Sequence, residues 1–164
     1  MARIAMFVVA AMLYQALAAP AALSIEVGEP VPEFGLRTLA GEVISRASLA
    51  GRPLLIFFWS TRSSSARHTL PLLNQLAERF GQQGLTVLAI NTGQLDSEER
   101  ARAFWKQHHF HFAAGFDRYL ELRQSFGIHH TPTVMLVDAW GIVRYKSREL
   151  PGDLEQMMRE LYQR

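Results

Sequence analysis

Cysteine is missing from this chain: none of its 164 residues is one. That excludes disulfides, thiolate nucleophiles, cysteine-ligated zinc and iron–sulfur clusters, and leaves oxygen and nitrogen groups to do any chemistry. An excess of one charge sign is missing too. Lys and Arg number 17 against 15 Asp and Glu, for a formal net charge of +2. With the basic residues scattered along the chain, no polyanion groove forms and no nucleic-acid partner is expected. Internal repeats and low-complexity linkers are also absent. What is there is an ordinary globular composition, 49% hydrophobic and 20% charged, at a length suited to one domain with a real core.

The first residues read as a targeting segment. Arg3 gives a short positive end, Ile4 to Leu17 is uncharged and apolar, and Ala16-Leu17-Ala18 offers a small-residue cleavage pattern, as in an export leader. Residues 1–22 are therefore expected to be a signal peptide cut between Ala18 and Ala22, and residues 27–164 the folded domain. The alternative is an uncleaved anchor, because no charge falls between Arg3 and Glu26, close to the ~20 apolar residues of a membrane span. Gln15, Pro20 and Ser24 interrupt that span. Either reading places the body outside the cytoplasm, in the periplasm or otherwise exported, with membrane association only through the N-terminal segment.

Beyond the leader, strands and helices alternate, the pattern of an α/β sheet. Phe34 to Leu39 and Val43 to Ser45 flank a turn at Ala40-Gly41-Glu42, as in a small hairpin. Leu54 to Trp59 is a continuous apolar run, expected as a central strand buried on both faces. A polar loop, Ser60 to Ser65, leads into a helix marked by Leu70, Leu73, Ala77 and Phe80 and ended near Gly81 or Gly84. Leu85 to Ile90 is a second buried strand, and Asp96 to Glu99 opens a second helix with acidic residues at its positive end. Phe110 to Phe116 holds a short strand and turn, and a short helix spans Arg118 to Phe126. Thr133 to Val137 and Ile142 to Tyr145 pair about a turn at Asp138 to Gly141, and a last helix runs from Pro151 to Tyr162.

Four segments carry a resemblance: Val27 to Phe34, Leu49 to Pro53, Phe58-Trp59-Ser60-Thr61, and Gly127-Ile128-His129-His130-Thr131-Pro132-Thr133. In this order they resemble the TlpA/ResA-type redoxin branch of the thioredoxin superfamily, over nearly the whole chain after the leader. The resemblance implies a three-layer thioredoxin-like α/β fold with a mixed central sheet and helices on both faces. It also implies an exported or anchored thiol-disulfide oxidoreductase ancestry, serving redox homeostasis or cytochrome c maturation, with a Trp-Cys-x-x-Cys motif opening the first long helix. This chain departs at the centre of that motif: Ser63 and Ala66 occupy the two cysteine positions, and Arg62, Ser64 and Ser65 differ as well.

Disulfide exchange needs a thiolate and a second thiol to resolve the mixed disulfide; a hydroxyl and a methyl supply neither. The expected function is a non-catalytic, exported protein-binding module with no cofactor. Its partner would be an exported protein or extended peptide segment held by Trp59, Arg62, Ser63, Arg67, His130, Thr131 and Pro132. By the resemblance, Thr131-Pro132 is the cis-proline peptide facing the motif loop, and such a backbone edge can bind an added strand without a thiol. Two simpler roles stand beside this one: the serines cap the helix, and Trp59 is core at the end of its strand.

The helix start, its hydroxyls, Arg62 and Arg67 could also receive a carboxylate or phosphate. A second function is metal binding or delivery through His68, His129 and His130, with His108, His109 and His111 as a further histidine group. A serine hydrolase built on Ser63 and His68 lacks both a nucleophile elbow and an orienting acid.

Overall fold

The computed structural model describes residues 24–162, so the leader expected over 1–22 lies outside the described residues. A two-stranded hairpin, β1 (Gly35–Arg37) and β2 (Val43–Ser45), pairs with Leu36 opposite Ile44. It leads through a single 3-10 turn at Ala47–Leu49 into β3 (Leu54–Trp59). Then come α1 (Ser64–Gly81), β4 (Thr86–Asn91), α2 (Glu98–His108), β5 (Ala113–Phe116), α3 (Glu121–Ser125), β6 (Thr133–Val137), β7 (Val143–Ser147) and α4 (Leu154–Tyr162).

The main sheet runs β5-β4-β3-β6-β7. β3, β4 and β5 are parallel, while β6 and β7 alternate in direction. As the run of six apolar residues implies, every position of β3 is buried. Because side chains alternate across a strand, Leu55, Phe57 and Trp59 face a core closed by α1 and α4 through Leu70, Leu73, Met158 and Leu161. Leu54, Ile56 and Phe58 face the opposite layer, where Leu36, Leu122 and Phe126 pack. The result is the three-layer arrangement with helices on both faces. Leu70 and Leu73 are fully buried, and cutting either to alanine costs ~2–5 kcal/mol.

Several boundaries are narrower than the apolar pattern suggests. The segment from Phe110 contributes a strand only from Ala113, because Phe110 and Phe112 pack edge-on against Trp105. The helix expected from Arg118 begins at Glu121, after Leu120 takes a left-handed conformation at φ 60°. The last helix starts at Leu154 rather than Pro151. The first long helix starts at Ser64, inside the expected loop. Pro71 lies within that helix, where it has no N–H to give to the Arg67 carbonyl; its ring is on the exposed side.

This topology gathers one edge of the sheet. The carboxyl ends of β3, β4 and β5 come together because the three strands are parallel. β6 runs the other way, so its first residue, Thr133, sits beside Phe58 near the end of β3. The last residue of β7, Ser147, pairs with Val134, which brings Arg148 to the same edge. Ligands of open α/β sheets bind at such an edge. Among the described residues, no helix is long and apolar enough to cross a membrane.

Candidate functional site

At this edge, the loop after β3 turns into α1. Ser63 is the N-cap: its hydroxyl accepts the Ala66 N–H at 3.2 Å, and its carbonyl accepts the Arg67 N–H at 3.1 Å. One of the four free amides of a helix start is thus satisfied by a side chain. The N–H groups of Ser64 and Ser65 have no acceptor among the described residues. Ala66 is fully buried beneath them.

Behind the loop stands a carboxylate that sequence reasoning placed only at a helix start. Asp96 accepts the Thr61 N–H at 2.7 Å, the Thr61 hydroxyl at 2.9 Å, the Asn91 side-chain amide at 2.8 Å and the Ser97 N–H at 2.9 Å. The Ser60 hydroxyl adds a longer bond at 3.2 Å. Asp96 therefore precedes α2, whose N-cap is Ser97, and turns back to pin the β3 loop to the β4 loop. Burial works to raise its pKa, but the hydrogen bonds from Asn91, Thr61 and Ser97 outweigh that and hold the carboxyl below its ordinary 3.8. The signal in the sequence was the mostly polar stretch Thr92 to Ser97, broken only by Gly93 and Leu95, directly after a buried strand.

Gly93 lets the chain make this turn. It has φ +68°, and a Cβ there would run into the Asp117 carbonyl. Asp117 in turn accepts the N–H groups of Leu122 at 3.2 Å and Arg123 at 2.7 Å at the start of α3. Burial raises the pKa of Asp117 against the pull of those bonds.

Between the α1 start and the 131–132 turn lies an open depression of about 410 Å³, lined by Ser60, Arg62, Ser63, Ser64, Ser65, Thr92, Gln94, Leu95, Thr131 and Arg148. Of the residues expected to bind, Arg62, Ser63 and Thr131 meet here. The Thr131-Pro132 bond is cis; Pro132 is buried behind Thr131. Arg67 is exposed but tethered, giving an N–H to the Thr61 carbonyl at 2.8 Å. His130 is exposed and does not line the depression.

Trp59 is a correction. It is fully buried, with ring centroids 5.4 Å from Phe104 and 5.6 Å from Trp105, so it supports the loop from inside and presents no surface. Both faces of β3 are buried, and Trp59 packs with Leu55 and Phe57 on the face that α2 covers at this end. Sequence reasoning missed Thr92, Gln94, Leu95 and Arg148, because they come from loops distant in sequence from the motif.

The histidine alternative is corrected as well. No three His, Asp or Glu side chains among the described residues form a metal-holding group, so His68, His129 and His130 do not converge. His68 Nδ1 lies 2.7 Å from the Ser64 carbonyl and donates to it. The second histidine group has structural roles. His108 stacks on Phe110 at 5.5 Å and 9°, His109 ends α2 in a left-handed conformation, and the His111 N–H binds the Asn74 side chain at 2.8 Å.

The model of the AhpC/TSA family matches residues 27–146. The chain belongs to that family. It is 24% identical over 139 residues to the thiol-disulfide oxidoreductase ResA of Bacillus thuringiensis subsp. konkukian, covering 84% of this chain and 79% of that one. To the thioredoxin-like protein YneN of Bacillus subtilis it is 28% identical over 123 residues, covering 74% and 71%. Among solved structures, the thioredoxin domain of a thiol-disulfide oxidoreductase from Bacteroides vulgatus superposes with a TM-score of 0.72 at 24% identity, covering 84% of this chain and 98% of that one; at that identity the likeness shows the fold. The resemblance to TlpA/ResA-type redoxins stands, with a serine and an alanine where the resemblance puts the two thiols.

Proposed function

We propose that this AhpC/TSA-family chain is an exported redoxin without thiol chemistry, a module of residues 27–164 that docks an extended segment of another exported polypeptide. One observation carries the reading. Thr131, at the cis-proline turn, and the capped start of α1 line the same open depression, with no cysteine on either side. Main-chain groups on such an edge bind an added strand by hydrogen bonds alone, and side-chain pockets beside it supply selectivity. Export rests on the leader read in residues 1–22.

The chain's own residues hold the surface in shape. Asp96 fixes the approach to α1, Ser63 caps it, and Trp59 fills the space beneath. No disulfide is formed or broken: the Ser63 hydroxyl and the Ala66 methyl have no disulfide state. Purified protein proven free of contaminating oxidoreductase should give no turnover of a disulfide substrate above buffer; turnover would refute the non-catalytic half. For the docking half, a photo-crosslinker at Ser63 should capture one exported polypeptide, and Arg62→Glu should weaken the capture. Indifference to that reversal would count against this surface.

A further inference from the structure

The depression at the start of α1 is cationic and unbalanced. Arg62 and Arg148 line it, no Asp or Glu does, and neither arginine is in an ion pair among the described residues. The carboxylate of Asp96, next to the lining residue Leu95, has its oxygens already taken by Ser60, Thr61, Asn91 and Ser97. Two amides at the positive end of an 18-residue helix, those of Ser64 and Ser65, have no acceptor among the described residues.

A separate observation points the same way. Thr92 is only 2% exposed, yet it lines the depression, and its hydroxyl has no hydrogen-bond partner among the described residues. Its own N–H donates to the Trp59 carbonyl at 3.0 Å, so that group is not free to serve the opening. A hydroxyl that no protein group engages, on a residue lining the opening, is free to bond a ligand there.

We infer that this depression takes a carboxylate, and that the docked segment is an acidic peptide that places an Asp or Glu side chain over the first turn of α1. The inference rests on the docking reading and names its partner's chemistry. One carboxylate offers about four acceptor sites. The Ser64 and Ser65 amides, the Thr92 hydroxyl and a guanidinium from Arg62 or Arg148 match that number. Charge-assisted bonds of this kind are about twice as strong as neutral ones, and the helix end favours negative charge. Phosphate shares this chemistry without the peptide, so the test separates the two.

A displayed library of random heptapeptides is selected on the purified protein, and amide resonances of Ser64 and Ser65 are followed with the enriched peptides and with inorganic phosphate. The expected result is enrichment of peptides with Asp or Glu at one fixed position, which shift both resonances. Replacing that carboxylate by its amide should weaken binding about tenfold or more, a loss of ~1.4 kcal/mol, and Arg62→Glu combined with Arg148→Glu should do the same. Thr92→Val, which keeps the shape, should weaken binding severalfold and leave the melting temperature close to the parent's. Enriched peptides that shift Ser64 and Ser65 but carry no acidic residue overturn this inference and leave the docking reading intact. No enrichment, or peptides whose shifts fall elsewhere, overturns both. Shifts by phosphate without any selected acidic peptide would make this a free-oxyanion site and also overturn the inference.

Discussion

Asp96 and Thr61 are joined twice, by the Thr61 N–H at 2.7 Å and the Thr61 hydroxyl at 2.9 Å, across 35 positions of sequence. This pair ties the exit of β3 to the loop after β4, and it sets where α1 begins. The serines at the helix start can therefore stay exposed to a ligand while the loop that carries them is held from behind.

Removing that acceptor should loosen the loop. Asp96→Ala leaves the Thr61, Asn91 and Ser97 donors unpaired and is expected to cost ~2–3 kcal/mol in chemical denaturation; Asp96→Asn, which keeps one acceptor oxygen, should cost about half as much. The pH dependence has a definite sign. The folded pKa of Asp96 lies below the ordinary 3.8, so its contribution is complete above that value and is lost as pH falls through the folded pKa. The Asp96→Asn variant should show a shallower fall in stability over that acid range than the parent. An identical acid profile would contradict the network.

Trp59 tests the corrected view of the aromatic beside the motif. Its indole N–H is buried with no partner among the described residues, so Trp59→Phe gives up no hydrogen bond and leaves only the small cavity of the lost ring atoms, a cost well below that of truncation to alanine. Trp59→Ala opens a cavity against Phe104 and Trp105 and should cost ~3–5 kcal/mol. Peptide affinity should be unchanged in Trp59→Phe. A selective loss of binding with stability intact would restore Trp59 to the docking surface.

The strands were the legible part of the sequence. β3 declared itself because it is buried on both faces and so has no polar position to interrupt it, and the Ser63 cap follows from serine's preference for helix starts. The site was legible only where it is local. Arg62 and Ser63 lie in the motif itself, but Arg148 reaches the depression through the β6–β7 pairing and Thr92 through the parallel β3–β4 pairing, relations that no single segment encodes. Trp59 misled because a strand-end aromatic beside a functional loop has two readings, which only the covering helix α2, through Phe104 and Trp105, separates.

The scaffold should still accept the chemistry it lacks. In the double variant Ser63→Cys with Ala66→Cys, one thiol is placed at the helix N-terminus, where the dipole lowers its pKa, and the other beneath it at a fully buried position. An intramolecular disulfide should form, and reduction of a disulfide substrate should appear where the parent has none. Two inert, unpaired thiols would mean that the site has diverged in geometry as well as in residue type.

The most direct measurement is an amide chemical-shift map of the protein titrated with the polypeptide segment captured from Ser63. The account predicts perturbations concentrated at Ser63, Ser64, Ser65, Thr92 and Thr131, unaffected by added reductant. Perturbations confined to another surface, such as the exposed Trp140, which lines a separate cavity with Arg52, or binding abolished by reductant, would contradict it.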